Sequence, residues 1–386
     1  MRRLLLCLDG VPHTLIELAK SRGLFDSFGP PARLLSPFPT MTNVALSAML
    51  GASPPAGYES LYFDRSAREL RGGIRKYIGR RTPDKVPSSY MDDLDYQEPL
   101  PFEFLIYVAP EKVWRADMQR FRERFKAAPP QRDYFAFLKA TDGLLHSQGP
   151  ERLAVALESL DQILSEIQSY CGSETEIVMF SDHGMNLEEN RRVDLASTLQ
   201  RRGFQLVIPA FGLCSYAAIY CHDDQQIPEI AAASVEVTGI DFAVYKDVAD
   251  VVVESTRGQA RIEYDAAVDS YRYVMHRGDP LELGAFPSGF ATDAEWFQRT
   301  AGHRYPNTLA NIYKSLFTPR VKHTADILLS LHDGYYYGWS PFGRFVRLAA
   351  THGNALQASS NAFLMSTHQQ LPPYIRADDA RTYLRH

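Results

Sequence analysis

IVMFSDHGM, Ile177 to Met185, begins as an unbroken apolar run and ends on an acid, an imidazole and a glycine in succession. An apolar run without alternation is the pattern of a strand covered on both faces, as in a parallel sheet flanked by helices. EIVMF (Glu176 to Phe180) therefore reads as such a strand, and LLLCL (Leu4 to Leu8) and YFAFL (Tyr134 to Leu138) read the same way. GFQLVI (Gly203 to Ile208), DILLSL (Asp326 to Leu331) and AFLM (Ala362 to Met365) are further candidate strands. Between the strands lie helical patterns. HTLIELAKSRG (His13 to Gly23) has helical spacing and a glycine stop. From Glu151 to Tyr170, Leu153, Leu157, Leu160, Ile163, Leu164 and Ile167 recur at helical intervals. Strands alternating with helices predict an α/β fold: a mostly parallel sheet with helices on both faces.

The chain has 386 residues, a length that suits one large α/β domain with insertions. Two regions break the alternation, about 61–127, rich in charge, and about 210–300, with apparent antiparallel strands and a hairpin-like TRGQ. Both are expected to cap the main sheet within a single domain spanning 1–386. Hydrophobic residues make up 45% and charged residues 23%, ordinary for a globular chain, and the net charge of −5 argues against a nucleic-acid polymer as partner. It does not exclude a small phosphorylated substrate. The four cysteines, Cys7, Cys171, Cys214 and Cys221, show neither C-x-x-C pairing nor zinc-finger spacing. The apolar run in MRRLLLCLDG is too short for a signal peptide and is broken by Asp9. No apolar stretch is long enough to span a bilayer, so a cytoplasmic location with no membrane contact is expected.

Three predicted strands lead directly to an aspartate: LLLCLDG to Asp9, YFAFLKATDG to Asp142 and EIVMFSDHG to Asp182. In an open parallel sheet the carboxyl ends of the strands share one edge, and ligands bind there. Three carboxylates on one edge repel each other unless a positive charge lies among them, and a divalent cation answers this. Histidines supply further donors. His183 follows Asp182, His146 lies four residues after Asp142, and His352 sits in ATHGNAL before the last predicted strand. Gly184 is read as the residue whose backbone freedom lets Asp182 and His183 converge past the strand end. Taken singly, an aspartate after a strand is a turn former and a lone histidine is a hydrogen-bonded or surface residue. Their coincidence at several strand ends carries the metal-site reading.

SPFPTMTNVALSAMLG (Ser36 to Gly51) contains a helical pattern that opens at Thr42 and stops at Gly51. Read as a helix start, Thr42 is either an N-cap or a hydroxyl placed where backbone N–H groups favour anions such as phosphate. Thr40 is a rival hydroxyl two residues away.

LDG at Asp9, PTMT at Thr42, TDGLLHSQGP, SDHGM and THG at His352, in this order, resemble the alkaline phosphatase superfamily, and within it the nucleotide pyrophosphatase/phosphodiesterase-like branch. The resemblance implies two divalent metal ions, zinc or manganese. Asp9, Thr42, Asp182 and His183 would hold one, and Asp142, His146 and His352 the other. It implies Thr42 as nucleophile, a phosphothreonine intermediate and phosphodiesterase activity. A phosphomonoesterase or phosphonate hydrolase on the same site is the alternative, and a non-catalytic binding protein on a phosphatase scaffold a second. The chain departs from the branch at one point. Where the branch carries an asparagine in an N-x-M-Y-D-like stretch that binds a phosphoryl oxygen, this sequence reads GYESLYFD (Gly57 to Asp64). Ser60, Tyr62 or the backbone N–H of Asn43 are the candidates for that contact. The basic run with Arg65, Arg68, Arg71, Arg75, Lys76, Arg80 and Arg81 is expected to be a solvated face, and DGYYYG (Asp333 to Gly338) to pack locally.

Overall fold

A computed structural model describes residues 2–73, 89–97, 99, 105–106, 109–172, 174–284, 289–318, 320–338 and 348–384. At its centre the strand Arg3–Leu8 lies between Tyr134–Leu138 and Glu176–Phe180 and runs parallel to both, with Leu6 opposite Ala136 and Met179. The sheet has seven strands in the order Tyr374–Arg376, Ala32–Leu35, Asn361–Ser366, Glu176–Phe180, Arg3–Leu8, Tyr134–Leu138 and Tyr96–Gln97. All pairings are parallel except those of Asn361–Ser366, which is antiparallel to both its neighbours. This reversal brings the start of Asn361–Ser366 to the edge where the other strands end.

The unbroken apolar runs are explained by two cores, one on each face. Leu4, Leu6 and Leu8 point with Ala136, Leu138, Ile177 and Met179 into a core shared with the helices His13–Ser21, Pro110–Ala127 and Pro150–Cys171. Leu5 and Cys7 point the other way, with Phe135, Phe137, Val178 and Phe180, against Ala45, Leu46 and Met49 of the helix Thr42–Leu50. Side chains alternate in direction, as in any strand, but both directions are apolar. The helix Pro110–Ala127 falls inside the region expected to cap the sheet. Its Val113, Trp114, Met118, Phe121 and Phe125 nevertheless lie in the same core as the central strands.

GFQLVI and DILLSL do contain strands, Leu206–Val207 and Ile327–Leu331, but in a second sheet of eight antiparallel strands. Ile327–Leu331 has the same apolar appearance for the same reason. Leu328 enters one core, and Ile327, Leu329 and Leu331 enter another on the opposite face. Burial on both faces, and not strand direction, is what the sequence pattern reports. Much of this sheet is a meander of Ile240–Asp247, Asp250–Ser255, Gly258–Asp265 and Ser270–Gly278. DGYYYG forms Tyr335–Gly338, which pairs with Leu213–Cys214 and Arg191–Arg192. Arg65 pairs with Asp326, and Arg71 with Asp64 and Glu69, while Arg75, Lys76, Arg80 and Arg81 lie outside the described residues. Among the described residues no helix is long and apolar enough to cross a membrane.

Phe121 is fully buried against the main sheet. Phe121→Ala is expected to lower the stability of the main unfolding transition by about 3–5 kcal/mol in urea titrations. A separate, minor transition with the main one unmoved would instead mark Pro110–Ala127 as a detachable cap.

Candidate metal centre

The three aspartates are placed by the strand ends, each with a different support. Asp9 follows Leu8 directly, and its backbone carbonyl accepts a hydrogen bond from the Thr141 hydroxyl at 2.7 Å. That bond ties the first strand end to the helix Ala140–Gln148. On this helix Asp142 and His146 stand four residues apart on one face. Asp182 is fully buried; its Oδ1 accepts from the Gly10 N–H at 3.1 Å, and its backbone carbonyl accepts from the Ser36 hydroxyl. Gly10 adopts φ +69, and a Cβ there would lie 2.9 Å from Asp142 Oδ1 and 3.3 Å from His183 Cε1. Gly184 also has to be glycine, but for a reason the sequence does not disclose. It is absent from the positive-φ positions; a Cβ there would sit 2.3 Å from the Ala358 carbonyl oxygen and 2.7 Å from that of Asn361. Close approach of the last strand, and not turn freedom, is the constraint.

These supports bring the seven predicted residues together. Donor atoms of Asp9, Asp182 and His183 lie within 4.8 Å of one another, and so do those of Asp142, His183 and His352. His183 Nε2 is 3.6 Å from Asp9 Oδ1 and 3.3 Å from Asp182 Oδ2. Asp142 Oδ1 is 3.2 Å from His146 Nε2 and 3.7 Å from His352 Nε2. The His183 and His352 rings stack with centroids 3.8 Å apart, so the two groups share a wall. Thr42 Oγ1 is 3.4 Å from Asp9 Oδ1 and 3.3 Å from His183 Nε2.

Each histidine faces a backbone carbonyl with its other ring nitrogen. His146 Nδ1 is 2.7 Å from Ala350 O, His183 Nδ1 is 2.9 Å from Gly184 O, and His352 Nδ1 is 2.8 Å from Thr40 O. A carbonyl has no proton to give, so each Nδ1 must carry the hydrogen, and a neutral ring then presents its Nε2 lone pair to the carboxylates. Burial drives the His183 pKa down to about 4 and the His352 pKa down to about 3, so both rings are neutral near pH 7. Burial pulls His146 down as well, but the Asp142 carboxylate beside it outweighs this and raises it. Burial pushes Asp182 up to about 6. Asp142 feels the same push, yet His146 beside it more than reverses it and holds its carboxyl below the usual range.

Asp142 Oδ1 and Asp182 Oδ2 are buried without a hydrogen-bond partner. Orphaned carboxylate oxygens beside imidazole nitrogens make these two groups a candidate cation site.

The two threonines separate cleanly. Thr40 is fully buried; its hydroxyl donates to Asn354 O at 3.1 Å and accepts from the Gly353 N–H at 2.9 Å. Thr42 is the first residue of the helix Thr42–Leu50 behind the N-cap Met41, and its hydroxyl faces Asp9 and His183. Asn43 is partly buried, with its Oδ1 accepting from the Tyr90 hydroxyl at 2.9 Å. Tyr62, a candidate for the missing asparagine's contact, is stacked on His323 with centroids 5.4 Å apart. Sequence reasoning missed Gly10, Ser36, Thr141, Tyr90 and Asn354. Only Gly10 carried a local signal, by following a strand-end aspartate.

The family described as type I phosphodiesterase / nucleotide pyrophosphatase matches residues 56–337, a stretch that contains Asp142, His146, Asp182 and His183 and leaves Asp9, Thr42 and His352 outside. No curated protein matches the sequence significantly. Among solved structures, phosphonoacetate hydrolase from Sinorhizobium meliloti in complex with phosphonoformate is similar at TM-score 0.54 and 15% identity, covering 99% of this chain and 94% of that one. Human ectonucleotide pyrophosphatase / phosphodiesterase 5 is similar at TM-score 0.55 and 13% identity, covering 100% of this chain and 94% of that one. At these identities the likeness establishes the fold, which is that of the alkaline phosphatase-like proteins.

His183 and His352 have folded-state pKa values of about 4 and 3, below the ordinary 6.5. Their contribution to stability is complete above pH 6.5 and falls as the pH drops, because the unfolded chain takes up protons the folded rings refuse. In chelator-stripped protein, the ring C–H resonances of both are expected not to titrate between pH 8 and about pH 5, outside the ordinary histidine range. Ordinary titration near 6.5 would remove the lone-pair arrangement on which the metal centre depends.

Proposed function

The chain belongs to the type I phosphodiesterase / nucleotide pyrophosphatase family, whose chemistry is phosphoester hydrolysis, and on that premise we propose that it is a two-metal phosphodiesterase with Thr42 as its nucleophile. The observation that carries this reading is the Thr42 hydroxyl, 3.4 Å from Asp9 Oδ1 and 3.3 Å from His183 Nε2 at a helix start. Asp9, Thr42, Asp182 and His183 would hold one ion, and Asp142, His146 and His352 the other. When bound, the two dications would neutralise the carboxylates, favour the ionised hydroxyl and polarise the phosphoryl oxygens.

The residues of the chain then divide the work. Thr42 Oγ attacks phosphorus in line and displaces one alcohol of a diester, which leaves with the hydroxyl proton, giving a phosphothreonine that still carries the second alcohol. Water attacks the same phosphorus on the opposite side, releases the monoester and restores the hydroxyl. Two displacements predict retention of configuration at phosphorus. The first-turn N–H groups of the helix have no intrahelical acceptors, so those of Thr42 and Asn43 are suited to a phosphoryl oxygen. Tyr62 is stacked on His323, so Ser60 and the Asn43 backbone remain the candidates for the absent asparagine's contact. Asp9 and Asp182 stay buried and hydrogen-bonded or ligating, which fixes the nucleophile's surroundings. The net charge of −5 favours a small phosphorylated substrate over a nucleic-acid polymer. Four unpaired cysteines fit a reducing, cytoplasmic setting. In this reading the chain is a single domain, with the helix Pro110–Ala127 part of the main core and the region about 210–300 a cap.

Thr42→Ala is expected to reduce turnover of bis-p-nitrophenyl phosphate by at least about 10³-fold, with zinc content and melting temperature largely kept. Thr40→Ala is expected to behave oppositely, losing about 1–3 kcal/mol of stability because buried partners are left unpaired. Full activity in Thr42→Ala would rule out the assigned nucleophile.

A further inference from the structure

Asn354 lies two residues after His352 and is fully buried, and its backbone and side chain are both bonded throughout. Its N–H donates to Ser215 Oγ at 3.1 Å, and its carbonyl accepts from the Thr40 hydroxyl at 3.1 Å. Its Nδ2 donates to the Leu331 carbonyl and to Asp333 Oδ1, both at 2.9 Å, while its Oδ1 accepts from the Leu356 N–H at 3.2 Å. Two acceptors on one side of the amide and an N–H on the other fix its orientation. An aspartate of the same shape would lack both donors and turn an oxygen towards the Leu331 carbonyl and the Asp333 carboxylate.

These bonds join the second sheet to the metal centre. Leu331 ends the strand Ile327–Leu331, and Ser215 directly precedes its partner strand Tyr216–Cys221. The Leu331 N–H donates to the Ser215 carbonyl at 3.0 Å, and the Ser215 N–H donates to the His352 carbonyl at 2.7 Å. The Ala355 N–H donates to Ser330 Oγ at 3.1 Å. Residues 352–355 are therefore anchored on the second sheet. Asp9, Asp142, His146, Asp182 and His183, in contrast, follow strands of the main sheet or stand on the helix after one of them. Thr40 completes the link. Its hydroxyl holds the Asn354 carbonyl and the Gly353 N–H, and its carbonyl faces His352 Nδ1 at 2.8 Å, two residues before Thr42. The His352 ring and the turn before the Thr42–Leu50 helix are thus both bonded to the segment that Asn354 fixes.

We propose that Asn354 is a positioning residue of the metal centre: it transfers the register of the second sheet to the His352 ring and to the turn before Thr42, which makes that sheet part of the centre and not only a cover over it. The proposal rests on the two-metal reading of the site. Asn354 is not one of the proposed ligands, so it acts through the orientation of His352. The bond at a ligand ring's second nitrogen holds the ring in place, and loss of such support weakens a metal site by about 10–100-fold. His352 belongs to one of the two proposed ligand groups, so the loss falls on one ion and spares the other.

The test uses Asn354→Asp, which keeps the shape and removes both Nδ2 donors. Ser234→Ala is the control, because Ser234 is equally buried and bonds only the Ile230 carbonyl within the helix Ile227–Val235, which carries no part of the centre. In zinc-stripped protein with labelled histidines, the Nδ1–H signals of His146, His183 and His352 are expected to exchange slowly in the wild type and in the control. In Asn354→Asp the His352 signal alone is broadened or lost. Zinc titration reads the same split, with one equivalent bound about tenfold or more less tightly and the other little changed. An unaltered His352 signal overturns the proposal. So does the joint loss of all three signals, which marks a general loosening of the fold. If the wild type binds no zinc the two-metal reading fails, and the His352 signal still decides the role of Asn354. Should Asn354→Asp not fold, Asn354→Ser removes the amide without adding a charge. Selective broadening of His352 in it supports the proposal and an unaltered signal overturns it.

Discussion

Three imidazoles turn their protonated nitrogens outward to backbone carbonyls and their lone pairs inward to three aspartates at one edge of a sheet. Lone pair facing carboxylate at 3.2–3.7 Å is repulsive unless a positive charge lies between them. Protonation is a poor remedy at two of the three rings, because burial holds His183 and His352 neutral well below pH 7. The two proposed dications would satisfy these donors together, and the surrounding structure fits that proposal. The carbonyls of Ala350, Gly184 and Thr40 are needed to fix the tautomers, and Gly10 is needed to let Asp142 and His183 approach the first strand end.

The sheet topology meets the requirement economically. Parallel strands deliver Asp9, the Asp142 helix and Asp182 to one edge, as a doubly covered sheet does with any ligand. The antiparallel strand Asn361–Ser366 starts at that edge, so the loop before it can bring His352 in from the opposite direction. Thr40 joins this loop to the nucleophile segment: its hydroxyl holds Gly353 and Asn354, and its carbonyl holds His352. One residue therefore sets a ligand's orientation while its neighbour but one, Thr42, turns its hydroxyl to Asp9 and His183. The chemical roles of the two hydroxyls are separated by burial rather than by sequence distance.

Much of this was legible in the sequence because it is local. Apolar runs report burial on both faces, and the acids that follow them report a shared edge. What was not legible depends on contacts far apart in the chain. The direction of Asn361–Ser366 leaves no trace in its composition, and Ile327–Leu331 looks like a main-sheet strand because it too is covered on both sides. Gly184 is read from the sequence as a turn residue, yet the Ala358 and Asn361 carbonyls, over 170 positions later, are what exclude a side chain. The helix Pro110–Ala127 sits among charge-rich residues that suggest a cap, but its apolar stripe joins the central core. Charge density along the chain describes the outer face of such a helix and says little about its inner one.

The site also bears on how far family membership reaches. The matched stretch, 56–337, holds Asp142, His146, Asp182 and His183 but not Asp9, Thr42 or His352. Those three reach the centre through the first strand, the Thr42–Leu50 helix and the loop before the last long strand of the main sheet. Their arrival within 3.3–3.7 Å of the matched residues is a geometric fact independent of that match. Had the chain retained only the fold, nothing would keep buried carboxylate oxygens without donors beside neutral imidazoles, since each such group costs stability unless something satisfies it. The unsatisfied oxygens of Asp142 and Asp182 are therefore an argument for the metal centre proposed above.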